Sequence, residues 1–532
     1  VRKRHQLLAV PLGIGLAAGL LAGCGDGDSD EAGSGESLVM GVSDEIISLD
    51  PAAGYDPGSW LVFDNVFQSL LSFPRGGTTP EPDAAERCGF QDSSSKVYRC
   101  TLKSGLKFSN GNKLTSEDVA FSFRRTTKID DDNGPAVMLT SIDRIETPDP
   151  RTVIFELKHS DATFPKKIAS GAGSIVDHRE YRMDKLRDDG KVVGSGVYTL
   201  DHYDPRKEAR FSVNSGYKGP ARVKNTGLTM RFFKGDQQAL KKAVQEGDVD
   251  FAYRGLAMED IAELDSGRAA GENGLELYVG SSAEVQHLVF NMKDPIIGKK
   301  GVRKAIAHLV DRSALVRDVY KRTTEPLYSI IPAGIVGHNT AFFDLYGDRP
   351  QRDKAEAALR EAGIDGKLKL TLWGTPVRYG SGTIPGLEEL AQQLNASGLF
   401  DAKVESVPLD EYEKGIAAGE YGVYVKGWVP DYPDPDNFTA PFFGEENVLS
   451  NNYESADITR KLIPETAAES NRSATAQTFA KLQNVVAEDL PILPLWQGKQ
   501  YAVARSDVKG LEWTLDASTV FRAWELSRGS AG

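Results

Sequence analysis

The stretch GWVPDYPDPDNF, residues 427–438, gathers Asp431, Asp434 and Asp436 with Trp428, Tyr432 and Phe438 around three prolines. Proline fixes φ and lacks an N–H, so the stretch is a poor helix or central strand. A carboxylate stiffened by Pro430 and Pro433 is held in place beforehand, and Trp428 and Tyr432 supply apolar walls that help exclude water. The competing reading is a proline-rich surface turn whose carboxylates are merely solvated. Asp434 and Asp436 fit that turn as turn-formers or helix caps. Calcium is excluded by spacing. An EF-hand register beginning at Asp434 puts Phe438 in the fifth position and Thr439 where a Gly is needed.

Other reactive constellations are missing. The seven histidines, at 5, 159, 178, 202, 287, 308 and 338, are scattered, which removes the H-E-x-x-H type of metal site. There is no G-x-S-x-G elbow and no phosphate-binding G-x-x-x-x-G-K-[ST] loop. The near match to G-x-G-x-x-G lies in the apolar leader. No catalytic residue, cofactor or metal is expected, and the chain reads as a non-enzyme.

The 532 residues are 40% hydrophobic and 26% charged, enough for two or more domains with substantial cores. A net charge of −13 argues against nucleic acid or an anionic membrane surface as main partner. VRKRHQ followed by LLAVPLGIGLAAGLLAGC reads as a secretory signal, residues 1–23. Its end, Leu21-Ala22-Gly23-Cys24, resembles a bacterial lipobox. That resemblance implies cleavage before Cys24, diacylation of its thiol, and anchoring to the extracytoplasmic face of the cell membrane. A secreted protein with a chance Cys is the alternative. Residues 24–37 then form a flexible, hydrated tether. Losing Arg2, Lys3 and Arg4 takes the net charge from −13 to −16. The remaining Cys88 and Cys100 flank Ser94 symmetrically in a polar turn. They would face each other across a hairpin as a disulfide, the default outside the cytoplasm.

Several elements must position these residues. SLVMGV opens as a strand, and WLVFDNVFQSLLSF (60–73) has helical spacing. Thr115 caps a helix in which Asp118 reaches back. GVRKAIAHLVDRSALVRDVY (301–320) presents Val302, Ile306, Leu309 and Val310 on one apolar face. KAEAALREAG (354–363) stops at Gly363. KLKLTLWG (367–374) and ILPLWQGKQYAVAR (492–505) are strand-like, and SATAQTFAKLQNVVAEDL (473–490) is a helix halted by Pro491. The mixture is α/β or α+β in at least two lobes, with no flexible linker between them.

Together the segments resemble the extracytoplasmic solute-binding proteins of ABC importers, of the oligopeptide/dipeptide-binding type (family 5). VYRCTLKSGLKFSNGNKLTSEDVAFSFRR (97–125) is similar to the group's K-F-s-d-G and L-T-x-x-D-V signature. VGSGVYTL matches its G-T-G-P-Y strand, with Ser195 for Thr and Val197 for Pro. ALKKAVQEGDVDFAY (239–253) and LVFNMKDPIIGKKGVRKAIAHLVDR (288–312) match two further segments, and 427–438 matches G-W-x-x-D-Y-x-D-P-x-N-F. The resemblance implies an α/β fold of two lobes closing as a clamp, with two interlobe crossovers and an additional subdomain on the first lobe. Lobe I would comprise 38–56, 190–281 and 490–532, the subdomain 57–189, and lobe II 282–489.

It also implies site residues. Asp431 occupies the position of the aspartate that meets a peptide α-ammonium. Arg378 lies where relatives carry a basic residue for the ligand's C-terminus, although a solvated surface Arg fits equally. Glu45 resembles a first-lobe glutamate along the cleft. Trp60 lines the same cleft or belongs to the core, and Asn291 sits structurally at a crossover. The implied function is a monomeric, lipid-anchored protein that captures peptides and hands them to an ABC permease and ATPase complex. Alternatives are an oligosaccharide or metal-chelate binder of the same fold, or a peptide-signal sensor. A surface-anchored hydrolase is disfavoured by the missing nucleophile and metal sets.

Overall fold

A computed structural model describes residues 37–266, 274–376, 378–445 and 447–529. The expected signal segment, Cys24 and nearly all of the expected tether lie outside the described residues.

Two long strands organise the molecule. The first crossover strand, Leu275–Phe290, pairs antiparallel with the second, Ile492–Arg505. Both lie at the centre of an 11-stranded sheet. On one side, Val423–Trp428 pairs with the first crossover strand and runs parallel to Leu368–Gly374, itself parallel to Phe400–Ser406. On the other side, Phe251–Tyr253 pairs with the second crossover strand and lies parallel to Leu38–Val42, which is parallel in turn to Gly227–Phe232. The crossover strands thus join two α/β halves. One half has a core running from Ala283 to Trp496, and the other buries Leu38, Met40, Phe211, Phe251 and Leu526 among others. The strands are almost continuous in pairing. Register skips only where Ser281 faces Lys499 and Val285 faces Gln497, and again at Gln286/His287.

A third core, spanning Leu70 to Ile175 with Tyr432 added, surrounds a four-stranded antiparallel sheet. Cys88 and Cys100 are directly paired on neighbouring strands and joined as a disulfide. The helix Ser116–Ile129 begins as expected, the Asp118 carboxylate accepting from the Thr115 N–H at 2.8 Å. Its Arg125 makes two bonds, 2.7 and 2.6 Å, to the buried carboxylate of Asp50. Such bidentate pairing satisfies both charges where water is excluded, and it fixes the subdomain helix to the chain entering the first half.

The 301–320 segment departs from a single helix. The first stretch is Lys300–Leu309, and Val310 is extended. Asp311 then caps a new turn, accepting from Ala314 N–H at 2.8 Å. A short acidic side chain offers the backbone this local alternative to helix. The break also lets the buried Arg312 donate to Pro494 O on the second crossover strand at 2.7 Å. The four apolar residues expected on one face are all buried. In 60–73 the helix occupies Pro57–Val66 and a short strand follows at Leu71–Ser72.

Candidate functional site

The strand Val423–Trp428 ends where the proline-rich loop begins, and the loop folds on one side chain, Asn437. Asn437 Oδ1 accepts from the Trp428 indole N–H at 2.8 Å and from the Asp431 N–H at 3.2 Å. Its amide then donates to Asp431 Oδ2 at 3.1 Å. The other carboxylate oxygen, Oδ1, accepts from the Tyr55 hydroxyl at 2.5 Å. Asp431 is therefore half-buried and aimed, with one bond from its own loop and one from the opposite half of the molecule. Burial pushes its carboxyl above the ordinary value of 3.8, against the bonds from Tyr55 and Asn437 and the charge of Lys167. Burial and the Asp431 charge also raise the Tyr55 phenol, which keeps it a donor.

Trp60 stands behind Tyr55. The rings are 5.6 Å apart, and the Trp60 indole N–H donates to Gly54 O at 3.0 Å. Trp60 also packs against both neighbouring cores and against Gly171, where an added Cβ would lie 2.5 Å from the ring. Tyr432 is 5% exposed and sits in the subdomain core, so it joins the lobes rather than lining open space. Asp434 caps the short turn Pro435–Phe438 through the Asp436 N–H, and it is also the anion of a buried triad. Lys166 Nζ lies 2.7 Å and Arg472 Nε 3.0 Å from Asp434 Oδ2. Further bonds clasp the same two surfaces: Ala162 N–H to Ala467 O and Ser95 Oγ to Ala468 O, each 2.8 Å.

Arg378 is exposed at the mouth of a hollow that Trp428 also lines. Glu45 is exposed too, and no side-chain hydrogen bond or ion pair joins it to another described residue. Asn291 is structural here, its amide donating to Gly419 O at 3.1 Å and its Oδ1 accepting from Asn452 at 3.0 Å. The structure thus brings Asp431, Trp428 and Trp60 into one network, puts Arg378 beyond Trp428, and leaves Glu45 outside it.

Residues 79–450 match the family model described as bacterial extracellular solute-binding proteins, family 5 Middle. The chain belongs to that family. A dipeptide-binding protein of Pseudomonas aeruginosa is 25% identical over 94% of this chain and 96% of its own length. HbpA2 from Haemophilus parasuis superposes with a TM-score of 0.80 at 20% identity, over 93% of this chain and all of that one. The periplasmic binding protein DppA from Helicobacter pylori, in complex with the peptide STSA, gives 0.72 at 21% identity, over 93% and 98%. This family 5 protein is a solute-binding protein and not an enzyme, and it works outside the cytoplasm. No helix among the described residues is long and apolar enough to cross a membrane.

Some contributors were not singled out from sequence. Tyr55 sits in GYDPGSW, where no sequence pattern points to its contact with Asp431. Arg254 follows Phe251–Tyr253 with φ of +61°, a conformation that costs a non-glycine residue energy. Its N–H donates to Tyr501 O on the second crossover strand at 3.2 Å. Tyr253, then Asp44 and Glu284, hold its guanidinium charged against burial, and burial raises the Glu284 carboxyl against that charge.

Proposed function

We propose that this protein captures peptides between its lobes, seating the ligand's α-ammonium on Asp431 and its carboxylate towards Arg378. The observation that carries this reading is the carriage of Asp431: half-buried, raised above its ordinary value, and oriented by Tyr55 and Asn437. A carboxylate kept partly out of water is costly to ionise unless a cation joins it. A primary ammonium supplies the charge and several donors in one compact group. The dipeptide-binding protein of Pseudomonas aeruginosa and the STSA complex of DppA agree with this reading. Cys24 would carry the lipid anchor, and the closed, loaded clamp would be offered to an ABC permease.

Calorimetry on the ligand-free protein with matched free-amine and N-acetylated peptides tests the reading. Free-amine peptides are expected to bind and acetylated ones to lose most of their affinity. Equal affinity for both would remove Asp431 from the ligand's amino end.

A further inference from the structure

The strands Leu368–Gly374 and Val423–Trp428 pair over only two residues, Leu372 with Val423 and Trp373 with Tyr424. Beyond that they diverge, and a cavity of about 330 Å³ opens at their carboxyl ends. Ligands of open α/β sheets favour such ends. On the first crossover strand, His287 is the direct cross-strand partner of Lys426. Directly paired residues share one face of a sheet, so imidazole and ammonium enter the same hollow. Trp428 and Phe442 wall it, Tyr379 packs over Gly427, and Arg378 stands at its mouth.

The polar groups of this hollow are short of partners. His287 is 1% exposed, yet neither ring nitrogen has a hydrogen-bond partner. Burial pushes its imidazole down to about 3, so it is neutral and has one N–H to give. Lys426 has three donors, of which one reaches Val448 O at 2.6 Å, and it forms no ion pair with a described residue. Burial depresses its ammonium, and the opposing influence comes from Glu413, which is exposed at the rim. Two cations and an unpartnered N–H therefore face one solvated acid. Buried donors left without acceptors are costly, and a buried cation more so.

We infer that the cavity beside Trp428 receives the acidic side chain of a bound peptide, its carboxylate meeting Lys426 and His287 alongside the edge-to-face pair of Trp428 and Phe442. This rests on peptide capture through Asp431, and it adds a preference for anionic side chains. Trp428 separates the two charges of the site, since its indole is tied through Asn437 to Asp431. A ligand with an amine at one end and a carboxylate on a nearby side chain matches both.

The test uses the ligand-free full chain and paired di- and tripeptides differing only in Glu against Gln, each with a free or amidated C-terminus. At one peptide position the Glu member is expected to bind at least tenfold more tightly, with or without amidation. Lys426→Met should bring the two members within twofold, His287→Phe should narrow the gap, and Lys426→Arg should keep it. Melting curves show that each variant is folded. If Glu and Gln peptides bind alike, or the gap survives Lys426→Met, the inference is overturned while peptide capture stands. If amidation abolishes the Lys426 dependence, the cavity reads the terminal carboxylate instead, and the inference fails. Binding of no peptide would overturn the underlying reading as well.

Discussion

The Tyr55 hydroxyl and the Asp431 carboxylate are 376 residues apart in the chain and 2.5 Å apart in the fold. That bond spans the two halves, so the carboxylate proposed to meet the ligand is held by both. Asp431→Asn should weaken free-amine peptides by about 2–5 kcal/mol, the range for truncating a buried charge pair. Tyr55→Phe removes one bond to a charged acceptor and should cost about 1.5–3 kcal/mol. Calorimetry ranks the two. Both losses should disappear with N-acetylated peptides, and a loss that persists there would place the amine elsewhere.

Capture should also depend on pH. Asp431 is raised above 3.8 in the folded protein, so the folded state holds its proton to higher pH than the unfolded chain. Its ionisation therefore opposes folding. Stability from this group is greatest below the unfolded value and falls as pH rises through the folded one. An ammonium ligand reverses the preference by favouring the ionised form. Affinity is expected to fall on acidification at a pH above that of an ordinary aspartate, while the peptide amine stays charged. Binding near that pH should release a proton, measurable as a buffer-dependent heat. Asp431→Asn should flatten the profile.

Gly171 supports the same bond from a distance. An added Cβ there would stand 2.5 to 2.8 Å from three atoms of the Trp60 ring, too close for the ring to stay. Overpacking of this kind costs about 1–3 kcal/mol. Gly171→Ala should lower the melting temperature and, by shifting Trp60 and with it Tyr55, weaken peptide binding roughly as much as Tyr55→Phe. Unchanged affinity would show that Trp60 does not position Tyr55.

The buried triad sorts its members by charge. Asp434 has no exposed side-chain surface, and Lys166 and Arg472 show 9% and 10%. Asp434→Asn strands two cations and should cost about 3–5 kcal/mol of stability in urea unfolding. Lys166→Met leaves Asp434 paired with Arg472 and should cost less. It also removes one tie between the subdomain and the loop, so X-ray scattering of the ligand-free variant should report a larger radius of gyration.

The sequence was most legible where period and punctuation agree. The strand-like runs 492–505 and 367–374 are strands at Ile492–Arg505 and Leu368–Gly374, and the Thr115–Asp118 pair marked a helix start. Local competition hid the break at Val310, because the apolar face runs on while Asp311 captures a backbone N–H and Arg312 is drawn to Pro494. The proline-rich loop was recognisable, but the division of labour among its carboxylates was not. Asp434 looked like a cap and is one, yet its buried cations lie on distant segments. Tyr55, His287 and Lys426 owe their roles to partners brought together by the sheet and the lobes, which no local pattern encodes.

The skip in register between Ser281 and Val285 sets three residues, 282–284, against the single Gly498. Beyond this skip and the one that follows at Gln286/His287, the crossover strands are zipped together by ladder bonds, which resist sliding and independent twisting. The compliant spot is thus confined to a few residues at mid-span, and the two connections must flex there in concert. A joint of that kind would swing along one arc. Under the proposed delivery, the outer contour after closure would be the same whatever cargo fills the space, and a docking membrane complex would meet one shape for every load.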